Sequence, residues 1–179
     1  MHKIISLFQR NYDGDCLVRD GVVYGAEWVL AGEGIATRKW DGMAAMLRDG
    51  RLYKRYNCKK GKQPPPMFEP IQDPDPVTGY WPGWLPVGTG PEDKWFRDAP
   101  INGLPYGTYE LCGPKIQGNA EHLMMHILLP HGKEILPNAP RTFTELRTWF
   151  ADRDIEGIVW WHPDGRMVKI KKRDFYGRR

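Results

Sequence analysis

Lys169 and Lys171 are two residues apart in a β-prone run, and residues two apart on a strand point to the same side. Val168 and Ile170 then face one way and both ammonium groups the other. Like charges that close repel unless an anion or a carboxylate lies between them, so this face is expected to look onto something negative. A solvent edge defended by lysine is the competing reading of the same pair. Glu156 opens the preceding run, Glu156-Gly157-Ile158-Val159, across the same hairpin, which gathers one carboxylate and two lysines in a small sheet. Gly157 lets a ligand or another backbone come close. Two further groups belong with these: Lys39 in Lys39-Trp40-Asp41-Gly42, and Glu110, the one carboxylate in the apolar-flanked run Thr108-Tyr109-Glu110-Leu111-Cys112-Gly113. Taken singly, Lys-x-Asp-Gly also describes a solvated loop lysine; the four elements carry weight together.

Antiparallel β-structure must position these groups. Asp-Gly pairs between β-prone runs signal hairpins, and there are three: Asp20-Gly21 joining residues 16–18 to 22–24, Asp49-Gly50 joining 44–47 to 51–53, and Asp164-Gly165 joining 157–161 to 166–171. A helix is expected from Thr142, where Thr142-Phe143-Thr144-Glu145 reads as a capping box and Phe143, Leu146, Trp149 and Phe150 share a face. A second helix is expected over residues 120–128. Residues 61–107 hold most of the prolines with Trp81, Trp84 and Trp95, and are expected to form an ordered loop or flap without regular structure.

The bulk properties bound the answer. A chain of 179 residues is expected to form a single domain over residues 1–179, of class α+β. With 41% hydrophobic and 27% charged residues and a mean hydropathy of -0.59, it is neither a membrane protein nor a disordered tail. Its first apolar stretch, ended by Arg10, is too short to span a bilayer or to act as a secretory signal. Cys16, Cys58 and Cys112 are odd in number and widely spaced, which argues against a disulfide framework and for a cytoplasmic home. The net charge of +4, concentrated after Lys169, suits either a polyanion partner or a solvated basic tail.

In this order the elements resemble the motifs of the covalent nucleotidyltransferases, the ATP-dependent DNA and RNA ligases and the mRNA-capping guanylyltransferases. Lys39 to Gly42 resemble motif I, Glu110 the motif III or IIIa glutamate, Glu156 to Val159 motif IV and Lys169 to Lys171 motif V, over residues 33–172. The resemblance implies a ligase-type adenylation domain in which Lys39 attacks the α-phosphate of ATP to form a lysyl-nucleotide. Only a neutral amine is nucleophilic, so burial beside Lys169, Lys171 and a cation is expected to depress its pKa. By the same resemblance Glu156 would bind Mg²⁺ or Mn²⁺, Glu110 would accept from a ribose hydroxyl, Lys169 and Lys171 would hold the α-phosphate, and Asp41 would orient the lysine or a metal-bound water. Arg55, with Arg51 as the competing choice, stands near the motif Ia arginine that contacts nucleotide or incoming phosphate. Thr37 and Arg38 fall where relatives read the adenine edge through backbone.

Two departures refine the resemblance. DNA ligases and capping enzymes extend motif I with an arginine where this chain has Ala44, and the run Tyr109 to Asn119 is similar to small RNA ligases that join 5′-phosphate to 3′-hydroxyl RNA ends. No OB-fold is expected after Lys171, so RNA is expected to be gripped by Lys172, Arg173, Arg178 and Arg179 and by the Trp-rich flap. The aromatic that relatives stack on the purine is not evident, and His126 is the substitute. His122 and His126 have the i, i+4 spacing of a metal site on a helix but lack a third ligand. A DNA nick ligase, a guanylyltransferase and a non-catalytic module that binds RNA ends or nucleotides are the alternative readings.

Overall fold

The computed structural model describes residues 4–177; Arg178 and Arg179, named above as RNA contacts, lie outside them. In chain order the elements are β1 (Ile5–Ser6), β2 (Phe8–Arg10), β3 (Val18–Val22), α1 (Glu27–Leu30), β4 (Ile35–Lys39), β5 (Met43–Arg48), β6 (Arg51–Cys58), β7 (Glu69–Pro70), β8 (Trp81–Pro86), α2 (Lys94–Asp98), β9 (Gly107–Cys112), β10 (Ile127–Pro130), α3 (Phe143–Ala151), β11 (Gly157–Trp161), β12 (Met167–Lys171) and α4 (Lys172–Tyr176). This is a mixed α+β chain with mainly antiparallel sheets. No helix among the described residues is long and apolar enough to cross a membrane.

The described residues cluster into two compact units: Asp41–His131, and Ile4–Trp40 together with residues 132–177. The second unit is built on a sheet of order β1-β12-β11-β4, antiparallel except for β1 against β12. Period-two alternation puts Ile158, Trp160, Val168 and Ile170, all fully buried, on one face. Against them pack Leu146 and Phe150 of α3, Phe175 of α4, Phe8 and Trp28. The Asp41–His131 unit is a six-stranded sheet of order β10-β9-β5-β6-β8-β7. Ala45, Leu47, Leu52, Tyr109 and Leu111 line its core face with Phe96 and Leu128.

Local chemistry explains which expected elements form. Asp49 and Gly50 both adopt positive φ, 52° and 69°, as a two-residue hairpin of this kind requires, and Arg48 faces Arg51 across the turn. Gly165 alone is left-handed in the turn between β11 and β12, which is longer, with Trp161 facing Met167. Asp20-Gly21 makes no turn. Both residues lie inside β3, which pairs with β2 through a register shift between Phe8 and Arg10, so the glycine serves an irregular ladder. At α3 the Thr142 hydroxyl donates to the Glu145 carboxylate at 2.7 Å in place of side chain-to-backbone caps. No helix covers 120–128. His122 takes positive φ there, as Gln117 and Asn119 do just before it, and Ile127 begins β10. The Pro/Trp-rich stretch has more regular structure than expected: Trp81–Pro86 is a six-residue strand paired with β6, followed by α2, and 59–68 is irregular.

Candidate active site

Strand register assembles the lysines. Gly157 on β11 faces Lys39 of β4 on one side and Lys171 of β12 on the other; two residues on, Val159 faces Thr37 and Lys169. Lys39, Lys169 and Lys171 therefore emerge from one face, opposite the buried Ile158 and Ile170. The negative group expected between them is Glu156. Its Oε2 accepts from Lys39 Nζ at 2.5 Å and its Oε1 from Lys171 Nζ at 2.5 Å. Gly157 is required by the sheet itself, since a Cβ there would meet the Ile170 carbonyl oxygen at 2.2 Å.

Burial and charge act against each other at this cluster. Burial works to raise the Glu156 carboxyl, but the charges and hydrogen bonds of Lys39 and Lys171 prevail and hold it below the ordinary carboxylate value. Burial, then the charges of Lys171 and Lys39, push the Lys169 ammonium down to about 8. Lys171 is lowered too, by burial and then by Lys39. Asp174 of α4, 4% exposed, pins the end of β12: its Oδ2 accepts from the Lys171 N–H at 2.9 Å and its Oδ1 pairs with Arg10.

Thr37 is buried on the lysine face, its hydroxyl donating to the Val159 carbonyl at 3.2 Å and accepting from Trp161 Nε1 at 2.8 Å. Trp161 and Trp160 point to opposite faces, and Trp160 belongs wholly to the core. Arg38 lies over Trp40 at 4.2 Å, its guanidinium 3.5 Å from Glu134 Oε1, and its backbone N–H donates to the Glu134 carbonyl at 2.8 Å. Lys172, expected to grip RNA, donates to the Ala151 and Arg153 carbonyls at 3.2 and 2.8 Å and so finishes α3. Arg173 is exposed.

The Asp41–His131 unit carries the other candidates. Glu110 on β9 is buried and meets His131 Nε2 at 2.8 Å. On the rung that holds Glu110 and Ala44, the β5–β6 register carried one residue past Ala45 and Lys54 brings Arg55, which faces Trp84 and lies over its ring at 5.5 Å. Burial lowers the Arg55 guanidinium. The Asp41 N–H donates to Glu121 Oε1 at 2.8 Å, and Gly42 is packed so closely on β9 that a Cβ would meet the Leu111 carbonyl oxygen at 2.2 Å. His126 stacks on Trp95, ring centroids 4.7 Å apart, and Gly113 makes room for it. His122 and His126 share no helix, and among the described residues no three His, Cys, Asp or Glu side chains gather as a metal site. His131 and Asp174 were not read from the sequence. The turn lengths fix their partners, and only the period-two position of His131 relative to β9 could have pointed to Glu110.

A family model described as RNA ligase 1 matches residues 91–178, a segment that holds Glu110, His126, Glu156, Lys169 and Lys171 and begins after Lys39. The sequence is similar to RNA ligases, as the ordered motifs implied, and the covalent nucleotidyltransferase superfamily is consistent with that similarity. RNA ligase 1 of Danio rerio is 30% identical, the match covering 52% of this chain and 40% of the relative. RNA ligase 1 of Mus musculus is 29% identical over 58% of this chain and 42% of the relative, and that of Pongo abelii 28% over 52% and 40%. The chain spans about two fifths of the length of these relatives.

Proposed function

We propose that the protein is an ATP-dependent RNA ligase that passes AMP through Lys39 to an RNA 5′-phosphate and seals that end to a 3′-hydroxyl. The observation that carries the reading is the Lys39–Glu156–Lys171 bridge with Lys169 on the same sheet face. Three ammonium groups and one shared carboxylate form a site for a highly charged phosphate. In the first step the Lys39 ammonium, released from Glu156, gives a proton to water and the neutral nitrogen attacks the α-phosphorus. An N–P bond forms, the bond to the bridging oxygen breaks, pyrophosphate leaves and the amine loses a second proton. Lys169 and Lys171 offset the charge that moves onto the phosphate oxygens. AMP then transfers from Lys39 to the RNA 5′-phosphate, and attack by the 3′-hydroxyl releases it.

Glu156 fits a divalent cation such as Mg²⁺ or Mn²⁺: it is a hard oxygen donor already held between two cationic partners. One protein carboxylate suits an ion held chiefly by phosphate oxygens and water, which would supply charge neutralisation at the phosphates. Glu110, in its own unit, is the acceptor offered to a neutral hydroxyl such as that of a ribose, and His131 holds one of its oxygens in place. His126 on Trp95 is the flat surface offered to a base.

The test is label transfer from ATP carrying ³²P at the α-phosphate, followed by joining of 5′-phosphorylated RNA. The expected result is acid-labile label on the protein from ATP and not GTP, absent in Lys39→Ala. If unlabelled protein, shown by intact mass to carry no AMP, takes up no label, the ligase reading fails and a nucleotide- or RNA-end-binding module replaces it.

A further inference from the structure

We infer that the face of the six-stranded sheet turned away from its core, along β6, is a docking track for an unpaired RNA strand; this rests on the RNA ligase reading. Leu52 and Lys54 point toward the core side, where Lys54 pairs with the buried Asp93. Arg51, Tyr53, Arg55 and Asn57 therefore share the other face. The two aromatics on this face are covered by arginine: Arg48 lies over Tyr53 at 4.7 Å and Arg55 over Trp84 at 5.5 Å. A guanidinium laid flat on a ring turns its outer face to a stacked base. Arg48 also reaches Glu69 of β7 with two contacts of 2.8 Å. Three interstrand steps, about 14 Å, separate β5 from β7 in a flat sheet, so that contact makes this face concave.

Charge selects the occupant. The anions on or beside this face are engaged: Glu69 and Asp49 with Arg48, and Glu110 with His131. Arg51 stands exposed at one end of β6, and exposed Lys59, Lys60 and Lys62 follow the other end. Arg51, Arg55 and Lys59 recur every fourth residue, about 13 Å apart on an extended chain, which suits alternate phosphates of an extended single strand. A duplex could not bring unstacked bases to the arginine faces.

Charge reversal at the exposed ends tests this without disturbing the core. Arg51→Glu and Lys59→Glu are compared with Lys133→Glu, an exposed lysine of the other unit. Each protein is titrated with a fluorescent, 5′-phosphorylated single-stranded RNA of about 12 nucleotides. Each reversal on the track is expected to weaken binding about five- to tenfold at about 0.1 M salt and to reduce the salt slope by about 0.7. Lys133→Glu is expected to change affinity by less than about twofold. Label transfer from ATP should persist in Lys59→Glu and Lys133→Glu. Track variants that bind as Lys133→Glu does, or a duplex of the same sequence bound as tightly as the single strand, would overturn the inference. If the wild type takes no label yet its RNA binding follows this pattern, the ligase reading fails and the track stands.

Discussion

Glu156 holds two ammonium groups at once, and its removal changes how the folded chain responds to acid and to base. Its carboxyl lies below the ordinary value in the folded protein, so the stability it contributes is complete above about pH 4.5, its unfolded value, and is lost as pH falls through the lower folded value. Lys169 behaves in the opposite sense. Between about 8 and 10.5 the unfolded chain holds a proton that the folded chain does not, so stability rises with pH across that window. Urea unfolding followed against pH should show both slopes in the wild type. Glu156→Gln should reduce the acid slope, to which the lowered Asp164 also contributes, and Lys169→Met the alkaline one, which it shares with Lys171 and in which its own part is about 3 kcal/mol; a variant whose slope is unchanged would refute the assignment. The lysine face and its carboxylate were legible in the sequence because period two and one hairpin determine them. His131 beside Glu110 and Asp174 beneath Lys171 were not, because strand register and helix docking set both partnerships.

Strands place this chemistry, and two glycines show how differently a glycine can matter. Gly157 sits at the centre of a three-strand rung, where an added methyl meets the Ile170 carbonyl oxygen. Gly50 sits in an open turn at φ 69° with nothing near its missing Cβ. Gly157→Ala should cost about 3 kcal/mol or more and uncouple Lys39 from Lys171, abolishing label transfer. Gly50→Ala should cost only the left-handed strain of about 1 kcal/mol and leave label transfer intact. Thermal unfolding of both variants beside the label assay checks this; equal losses would refute it. The same contrast explains which elements the sequence announced. Asp49-Gly50 turns because both residues accept positive φ, whereas Asp20-Gly21 is drawn into a bulged ladder by Phe8 and Arg10. The 120–128 stretch has helical spacing of apolar groups, but Ile127 and Leu128 pair with β9 instead.

Each compact unit has its own apolar core, and the Asp41–His131 unit is spliced into the other between Trp40 and Gly132. Phe150→Ala and Leu111→Ala, each at a fully buried position, should each cost about 3–5 kcal/mol. Amide exchange is expected to quicken most in the unit that carries the substitution; equal acceleration throughout the described residues would show that the two cores unfold as one. Nothing in the composition announced this nesting, since hydropathy does not record which distant strands pair. The splice also sets an order of assembly during synthesis. β4 leaves the ribosome early, but its partner β11 follows only after the whole inserted unit, and Lys171 later still. A nascent chain that stalls anywhere before β12 carries Lys39 without the two lysines that would hold a phosphate beside it. In the proposed mechanism Lys39 gains the partners that hold its phosphate only once β12 has been made.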